Sequence, residues 1–198
     1  PAVSSLSENT LSALIAEFIN DAKRQVEDAY NWNALTTTLT TDTQASVFTY
    51  SLVGFGARFK LLDVYNKTEK YFLLPQSNHQ MTVNFFSVDT SQTSAPHFYN
   101  FNGTDSNGDP KVDFFPIPNK VHTIFFNIVV PQLSLVSEAD TMLVPSEPVI
   151  ALALARALVE RGGGLTSSEA YGLYKTILAD YIAIESSRHT EEETWVGM

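Results

Sequence analysis

Near the start of the chain, apolar side chains recur three and four positions apart, which is the spacing of one face of an α-helix. The series begins at Leu11 and ends at Tyr30. Ser5 and Glu8 have the spacing of a capping box, in which a hydroxyl and a carboxylate satisfy free N–H groups of the first turn. The pattern predicts one long amphipathic helix.

From about residue 35 to residue 132 the apolar pattern changes to alternation, and β-branched and aromatic residues become frequent. Both properties are typical of strands. The pairs Asn102-Gly103 and Asn107-Gly108 are turn signals between two such runs. The stretch Val121–Val130 is the longest strand candidate. Residues 35–132 are therefore predicted to form a β-rich subdomain.

Residues 133–143 follow neither pattern and are predicted to be a linker, after which helical spacing returns. Ser146 followed by Pro148 is typical of a helix start, and this helix is expected to end near Arg161. It is apolar on nearly every side, so we expect it to be buried all round, in a core or in an oligomer. Its candidate oligomer-interface residues are Val149, Ile150, Leu152 and Leu154.

A last helix is predicted after the glycines at positions 162–164. Thr166 and Glu169 have the spacing of a second capping box. The chain then ends in an acidic tail, residues 189–198. Its candidate partner-binding residues are Glu191, Glu192, Glu193, Trp195 and Val196.

Runs of strands beside runs of helices indicate an α+β fold. Residues 1–34 and 144–188, from the two ends of the chain, are expected to pack together as an antiparallel helix bundle. The β-rich subdomain, residues 35–132, is then an insert between the first helix and the C-terminal helix pair.

Composition narrows the functional classes. The chain has no cysteine, which excludes disulfides, thiolate metal sites and a cysteine nucleophile. Its 12 basic against 22 acidic residues give a net charge of −10, a poor footprint for non-specific nucleic-acid binding. The longest apolar run is far shorter than the roughly 20 residues that cross a bilayer, and no secretory signal is visible. We expect no membrane segment and synthesis in the cytoplasm.

The search for chemistry finds no catalytic or cofactor motif. The glycines at 162–164 lack the lysine of a phosphate-binding loop. The four histidines are scattered and are expected to be surface or turn residues without a metal. The stretch Asp105–Asp109 lacks the glycine and glutamate positions of a calcium loop, so it is interpreted as a hairpin turn. No enzyme activity and no cofactor are predicted.

Several stretches of helix and turn residues, taken together and in this order, resemble a family of bacteriophage proteins. The stretches are Phe18–Trp32, Arg58–Asn66, Asn102–Asp109, Phe115–Pro118, Leu143–Pro148 and Ser168–Tyr171. They are similar to the head-to-tail connectors, also called tubular tail adaptors, of tailed phages, especially short-tailed ones. The resemblance spans nearly the whole chain.

The resemblance implies a structural virion protein at the head-to-tail interface. Such proteins form a ring, expected to be a dodecamer, between the portal protein and the tail nozzle or tail tube protein. The ring continues the channel through which genomic DNA passes during ejection, without specific binding. The resemblance also implies that the C-terminal tail of the chain reaches the portal. We expect the β insert to lie on the opposite side, facing the tail of the phage.

Two other classes of function are also compatible with the residues. One is a β-rich accessory binding module of a virion, which binds a receptor or a carbohydrate through its aromatic side chains. The other is a small hydrolase, which requires a pocket holding two of Asp105, Asp109, Asp113 and His122.

Overall fold

The computed structural model describes residues 10–54, 56, 58–86, 92–137 and 139–188. The predicted capping box of Ser5 and Glu8 lies outside these residues. The described part is mixed α+β, which confirms the predicted fold class. Its helices are α1 (Thr10–Ala29), α2 (Asn78–Phe86), α3 (Ser146–Glu160) and α4 (Gly164–Ser186). Its strands are β1 (Thr36–Asp42), β2 (Thr49–Ser51), β3 (Lys60–Asn66), β4 (Tyr71–Phe72), β5 (Leu74–Pro75), β6 (Thr93–Ser94), β7 (Phe98–Thr104), β8 (Pro110–Phe115), β9 (Ile117–Pro118) and β10 (Thr123–Val129).

The chain divides into two compact units. The helical unit comprises the described residues up to Leu35 and those from Pro131 onward, and the β unit is Thr36–Val130. In the helical unit, α3 contacts both α1 and α4. This unit is therefore assembled from two parts of the sequence that lie about a hundred residues apart.

Two four-stranded sheets form most of the β unit, in the orders β1-β10-β3-β4 and β2-β8-β7-β5. Strands β6 and β9 pair separately, and β5–β7 and β6–β9 are the parallel pairs. Alternate residues of β10, namely Ile124, Phe126 and Ile128, are buried, as a half-buried strand requires. The core residues of this unit are Leu52, Val64, Leu73, Tyr99, Val112, Phe114, Ile124, Phe126 and Ile128.

The hairpin predicted around Asp105 is confirmed, because β7 and β8 pair antiparallel across the turn that contains it. Strands β3 and β4 also form an antiparallel pair, with Tyr65 opposite Phe72. The stretch predicted as the longest strand corresponds to β10, which is seven residues long, the same length as β1, β3 and β7.

Helix α2 lies inside the stretch predicted to be β-rich, so that prediction was incomplete. The helix starts with a capping box. The amide of Gln80 donates to Ser77 Oγ (3.3 Å), and the amide of Ser77 donates to Gln80 Oε1 (3.1 Å). The Ser-x-x-Gln spacing was the sequence signal that would have found this helix.

The caps predicted for the last two helices are wrong. Helix α3 begins at Ser146 itself and Pro145 occupies the cap position, with no side-chain cap. Helix α4 begins at Gly164, ahead of the predicted box. The hydroxyl of Thr166 donates to the carbonyl of Gly163, so it bonds a backbone acceptor instead of the free N–H groups of the first turn.

A row of polar side chains on α1 binds the segment by which the chain re-enters the helical unit, residues 131–135, here called the return segment. Lys23 is almost fully buried, and its Nζ donates to Glu27 Oε1 (2.9 Å). The same Nζ donates to the carbonyls of Gln132 (2.8 Å) and Leu133 (3.1 Å). All three protons of the ammonium group are thereby used, which offsets the cost of burying it.

The other two members of the row, Asn20 and Glu27, also bond the return segment, and the three side chains together are here called the clamp. Asn20 bonds both backbone groups of Leu135, donating to its carbonyl (3.0 Å) and accepting from its amide (2.8 Å). The carboxylate of Glu27 accepts from the amide of Gln132 (3.1 Å). The positions 20, 23 and 27 lie on one helix face, so α1 offers a continuous polar strip to an extended chain.

The expectation that the histidines lie at the surface or in turns is wrong for His122, which is fully buried. Its Nε2 lies 3.1 Å from Asn119 Oδ1, and its Nδ1 lies 3.4 Å from Glu69 Oε1. The same Glu69 oxygen accepts from Lys120 Nζ at 2.9 Å. Burial lowers the pKa of His122, the Glu69 carboxylate opposes that shift, and Lys120 adds to it.

The clamp on α1 predicts a large difference between two neighbouring cations. The substitution Lys23→Ala leaves Glu27 buried without its cation and two carbonyls without a donor, so we expect the free energy of unfolding to fall by about 3–5 kcal/mol. Arg24→Ala removes an exposed pair with Asp21 and should cost at most about 1 kcal/mol. Urea unfolding followed by the helical circular dichroism signal measures both. Equal losses would contradict the clamp.

The burial of His122 predicts acid destabilisation. The pKa of His122 is lower in the folded protein than in the unfolded chain, so the unfolded chain binds more protons once the pH is below the ordinary histidine pKa of about 6.5. Stability therefore falls as the pH drops through that value. Replacing His122 with Gln should flatten the decline of Tm between pH 7 and pH 5. Replacing the exposed His79 with Gln is the matched control and should leave the decline intact. A decline that persists unchanged in His122→Gln counts against this assignment.

Candidate docking surface

Within the single chain, helix α3 is buried on one side only, so the expected burial all round would require an oligomer. Val149 and Leu152 are 0% and 1% exposed and belong to the interior. Ile150 and Leu154 are 61% and 55% exposed and lie one turn apart on the outer side. Of the four candidate interface residues, these two are therefore placed where a second protein can reach them.

Helix α4 also keeps apolar side chains at the surface. Tyr174 and Glu185 are its buried residues, whereas Leu165, Leu173 and Ile184 are largely exposed. A helix with so little of its length buried contributes less apolar packing than its sequence allows. The exposed apolar residues of α3 and α4 together make this helix pair the candidate docking surface of the helical unit.

A groove of about 600 Å³ lies among α1, α3 and α4. Phe18, Leu152 and Tyr171 contribute one lining side chain from each helix. At its edge, Arg156 donates to Gln25 Oε1 (3.0 Å) and lies 3.4 Å from Asp21 Oδ2. The groove is mainly apolar, and two of its polar lining groups, Arg156 and Gln25, bond each other.

A smaller hollow of about 360 Å³ lies close to the end of α4. Glu185 organises it, because its carboxylate accepts from the amide of Asn33 (2.9 Å) and from Arg188 (2.8 Å). Tyr181 lines the same hollow, and its hydrogen bond to Glu147 raises the pKa of its phenol. The chain continues from Arg188 into the acidic tail. The tail residues Glu191, Glu192, Glu193, Trp195 and Val196 lie outside the described residues.

The residues that a hydrolase would need are used structurally. Asp105 organises the β7–β8 turn by accepting from the amides of Asn107 (2.8 Å) and Asp109 (3.0 Å), and these bonds lower the pKa of its carboxyl. Asp113 accepts from the Thr49 hydroxyl on the neighbouring strand (2.6 Å). His122 faces Glu69 instead. These contacts do not make an acid–base pair of the four candidates.

Within the described residues, no three His, Asp or Glu side chains are grouped closely enough to hold a metal ion. No helix among them is long and apolar enough to cross a bilayer.

Comparison with known proteins gives one finding. No curated protein matches the sequence. The model of the family described as SU10 adaptor protein matches residues 2–195 of the 198. This confirms the resemblance to phage adaptors and supports a structural component of a bacteriophage virion, a kind of protein that does not suggest catalysis. Because the match covers almost the whole chain, the protein belongs to the SU10 adaptor protein family.

Proposed function

We propose that this protein is a head-to-tail connector, an adaptor that joins the portal protein of a phage head to the tail nozzle or tail tube protein. The family match over residues 2–195 is the observation that carries the proposal. Copies of the chain assemble into a ring, expected to be a dodecamer, whose lumen continues the DNA channel. The resemblance to short-tailed phages in particular stays a prediction.

In this proposal the ring contacts involve the bundle that α1, α3 and α4 form from both ends of the chain. Ile150 and Leu154 project from the outer side of α3, while Val149 and Leu152 fix that helix to its own unit. Burying a leucine or isoleucine side chain is worth about 1.5–3 kcal/mol. Two such residues on every copy supply an apolar centre for a subunit contact, and a head-to-tail contact of this kind closes into a ring when its rotation permits.

The charge of the chain fits a conduit for DNA. A net charge of −10 repels phosphate, and a channel that passes DNA during both packaging and ejection must not hold it. Lys23 and Arg24 are adjacent cations on α1, but they do not form a basic patch because Lys23 is buried. DNA therefore passes without specific binding.

The acidic tail is proposed to dock on the portal. Trp195 and Val196 supply an apolar anchor, and the three preceding glutamates supply charge. Arg188, the last described residue before the tail, lines the hollow organised by Glu185.

Co-sedimentation with portal rings from the same source tests the proposal, followed by class averages of the pelleted complex. A ring stacked on one end of the portal is the expected result. A protein that stays in the supernatant as a monomer would overturn the connector proposal and favour the β-rich accessory binding module, which a glycan screen would then examine.

Removing residues 190–198 should weaken binding to the portal and leave the fold intact, because the helices and strands of the described chain all end before residue 187. Within the full chain, Trp195→Ala should account for most of the loss, and Thr190→Ala is the matched control. Binding to immobilised portal and the circular dichroism spectrum are measured together. A truncated chain that binds the portal as well as the full chain would refute the tail assignment.

The double substitution Ile150→Ser with Leu154→Ser should prevent ring assembly while the monomer stays folded, because both side chains are exposed in the single chain. Loss of two apolar contacts weakens each subunit interface by at least about tenfold. Leu133→Ser changes a leucine of the same unit that is even more exposed, at 87%, and is the control. Sedimentation velocity distinguishes rings from monomers. Rings that form normally from the double variant would exclude this helix face as the interface.

A further inference from the structure

The β unit contains a cleft of about 330 Å³ that none of the functions above uses. It lies against α2 and strands β7 and β8. Its lining combines carboxamides, one carboxylate and two phenyl rings, with no cationic side chain among the described residues. The lining residues are Phe48, Asn78, Met81, Thr82, Phe85, Asn100, Asn102 and Asp113.

Asp113 is the unusual member of this lining. It is 4% exposed, and its two carboxylate oxygens accept from neutral donors, Thr49 Oγ1 (2.6 Å) and Asn102 Nδ2 (3.0 Å). Lys111 precedes it on the same face of β8 and makes no ion pair within the described part of the chain. A carboxylate buried without a cation is costly, so a cation placed beside Asp113 would be bound favourably.

The groups around Asp113 share that preference. Asn102 donates its amide to Asp113, and Asn100 donates its amide to Asn78 Oδ1, which leaves the amide oxygens of Asn100 and Asn102 without a donor in the described part of the chain. The rings of Phe48 and Phe85 lie 4.7 Å apart at one wall. Carbonyl oxygens and the faces of aromatic rings both attract cations.

We propose that this cleft binds the guanidinium group of an arginine side chain presented by a partner protein. A guanidinium carries several N–H donors in a plane, so it can bond a carboxylate and two amide oxygens at once while its face rests on a phenyl ring. An ammonium group lacks the plane that stacks on the ring. An anion would meet Asp113, and a neutral ligand would leave its charge uncompensated. The site belongs to the β unit and does not depend on how the helical unit docks.

The test titrates the full chain with N-acetyl-arginine amide and follows the side-chain amide signals of the asparagines by NMR. We expect saturable shifts at Asn100 and Asn102 with a dissociation constant in the millimolar range, as befits one isolated side chain. N-acetyl-citrulline amide, which has nearly the same shape and no charge, should give none. No saturable shift with arginine, or equal shifts with citrulline, would overturn the proposal on the native protein alone.

Two variants with the same change of charge locate the site. Asp113→Asn should weaken binding of the arginine amide by at least about tenfold, whereas Asp109→Asn, in the nearby turn and outside the lining, should leave it within about twofold. Phe48→Leu removes one ring face and should weaken binding by a smaller factor, which provides a second variant if Asp113→Asn misfolds. Equal binding by the Asp113 and Asp109 variants would show that the arginine amide follows net charge only, and the site would be refuted.

Discussion

The helical unit depends on the polar strip that α1 offers to the return segment. Burying Lys23 and Glu27 costs several kcal/mol for each ion unless every donor and acceptor finds a partner. The fold lowers that cost by bringing in backbone groups of Gln132 and Leu133, from more than a hundred residues away, to bond the Lys23 ammonium and one oxygen of Glu27. Neither part of the sequence can supply these bonds alone. The strip therefore joins the two ends of the chain into one unit, and it fixes where the chain that leaves at Leu35 must come back.

Once the return segment is fixed, the place of α3 follows. It contacts both α1 and α4, so it turns Val149 and Leu152 inward and leaves the opposite side uncovered. That side is apolar although nothing in the chain's described packing uses it. A single chain gains nothing from exposed Ile150 and Leu154, whereas a protein that works between other proteins does. The packing of α3 against α1 and α4 therefore determines which of its apolar residues stay exposed for a partner protein.

The sequence predicted the elements whose signals are local. Helix α1 repeats its apolar residues over five turns, and the β7–β8 turn contains the pair Asn107-Gly108, so both were found. Helix α2 was missed because nine residues inside an aromatic, alternating stretch give too little helical period, and the capping box at Ser77 was not recognised. The burial of Lys23 and His122 has no local signal, because each depends on groups that folding brings in from distant positions. The faces of α3 were likewise undecided, since an all-apolar stretch does not say which side meets a partner.

The placement of charge connects these features with the proposed role. Lys23 is buried, and Arg24, Arg156, Arg188 and Lys120 each lie within ion-pair distance of a carboxylate. These ion pairs leave the net charge of the chain unchanged. They neutralise cations that could otherwise form a basic patch and bind a phosphate backbone. The excess of acidic groups then acts at longer range, repelling DNA and drawing in basic segments of other proteins. The proposed arginine site adds a short-range contact to this long-range attraction, because the buried Asp113 carboxylate can pair with one guanidinium group. In the proposed connector, the same negative charge would attract basic protein segments and repel DNA.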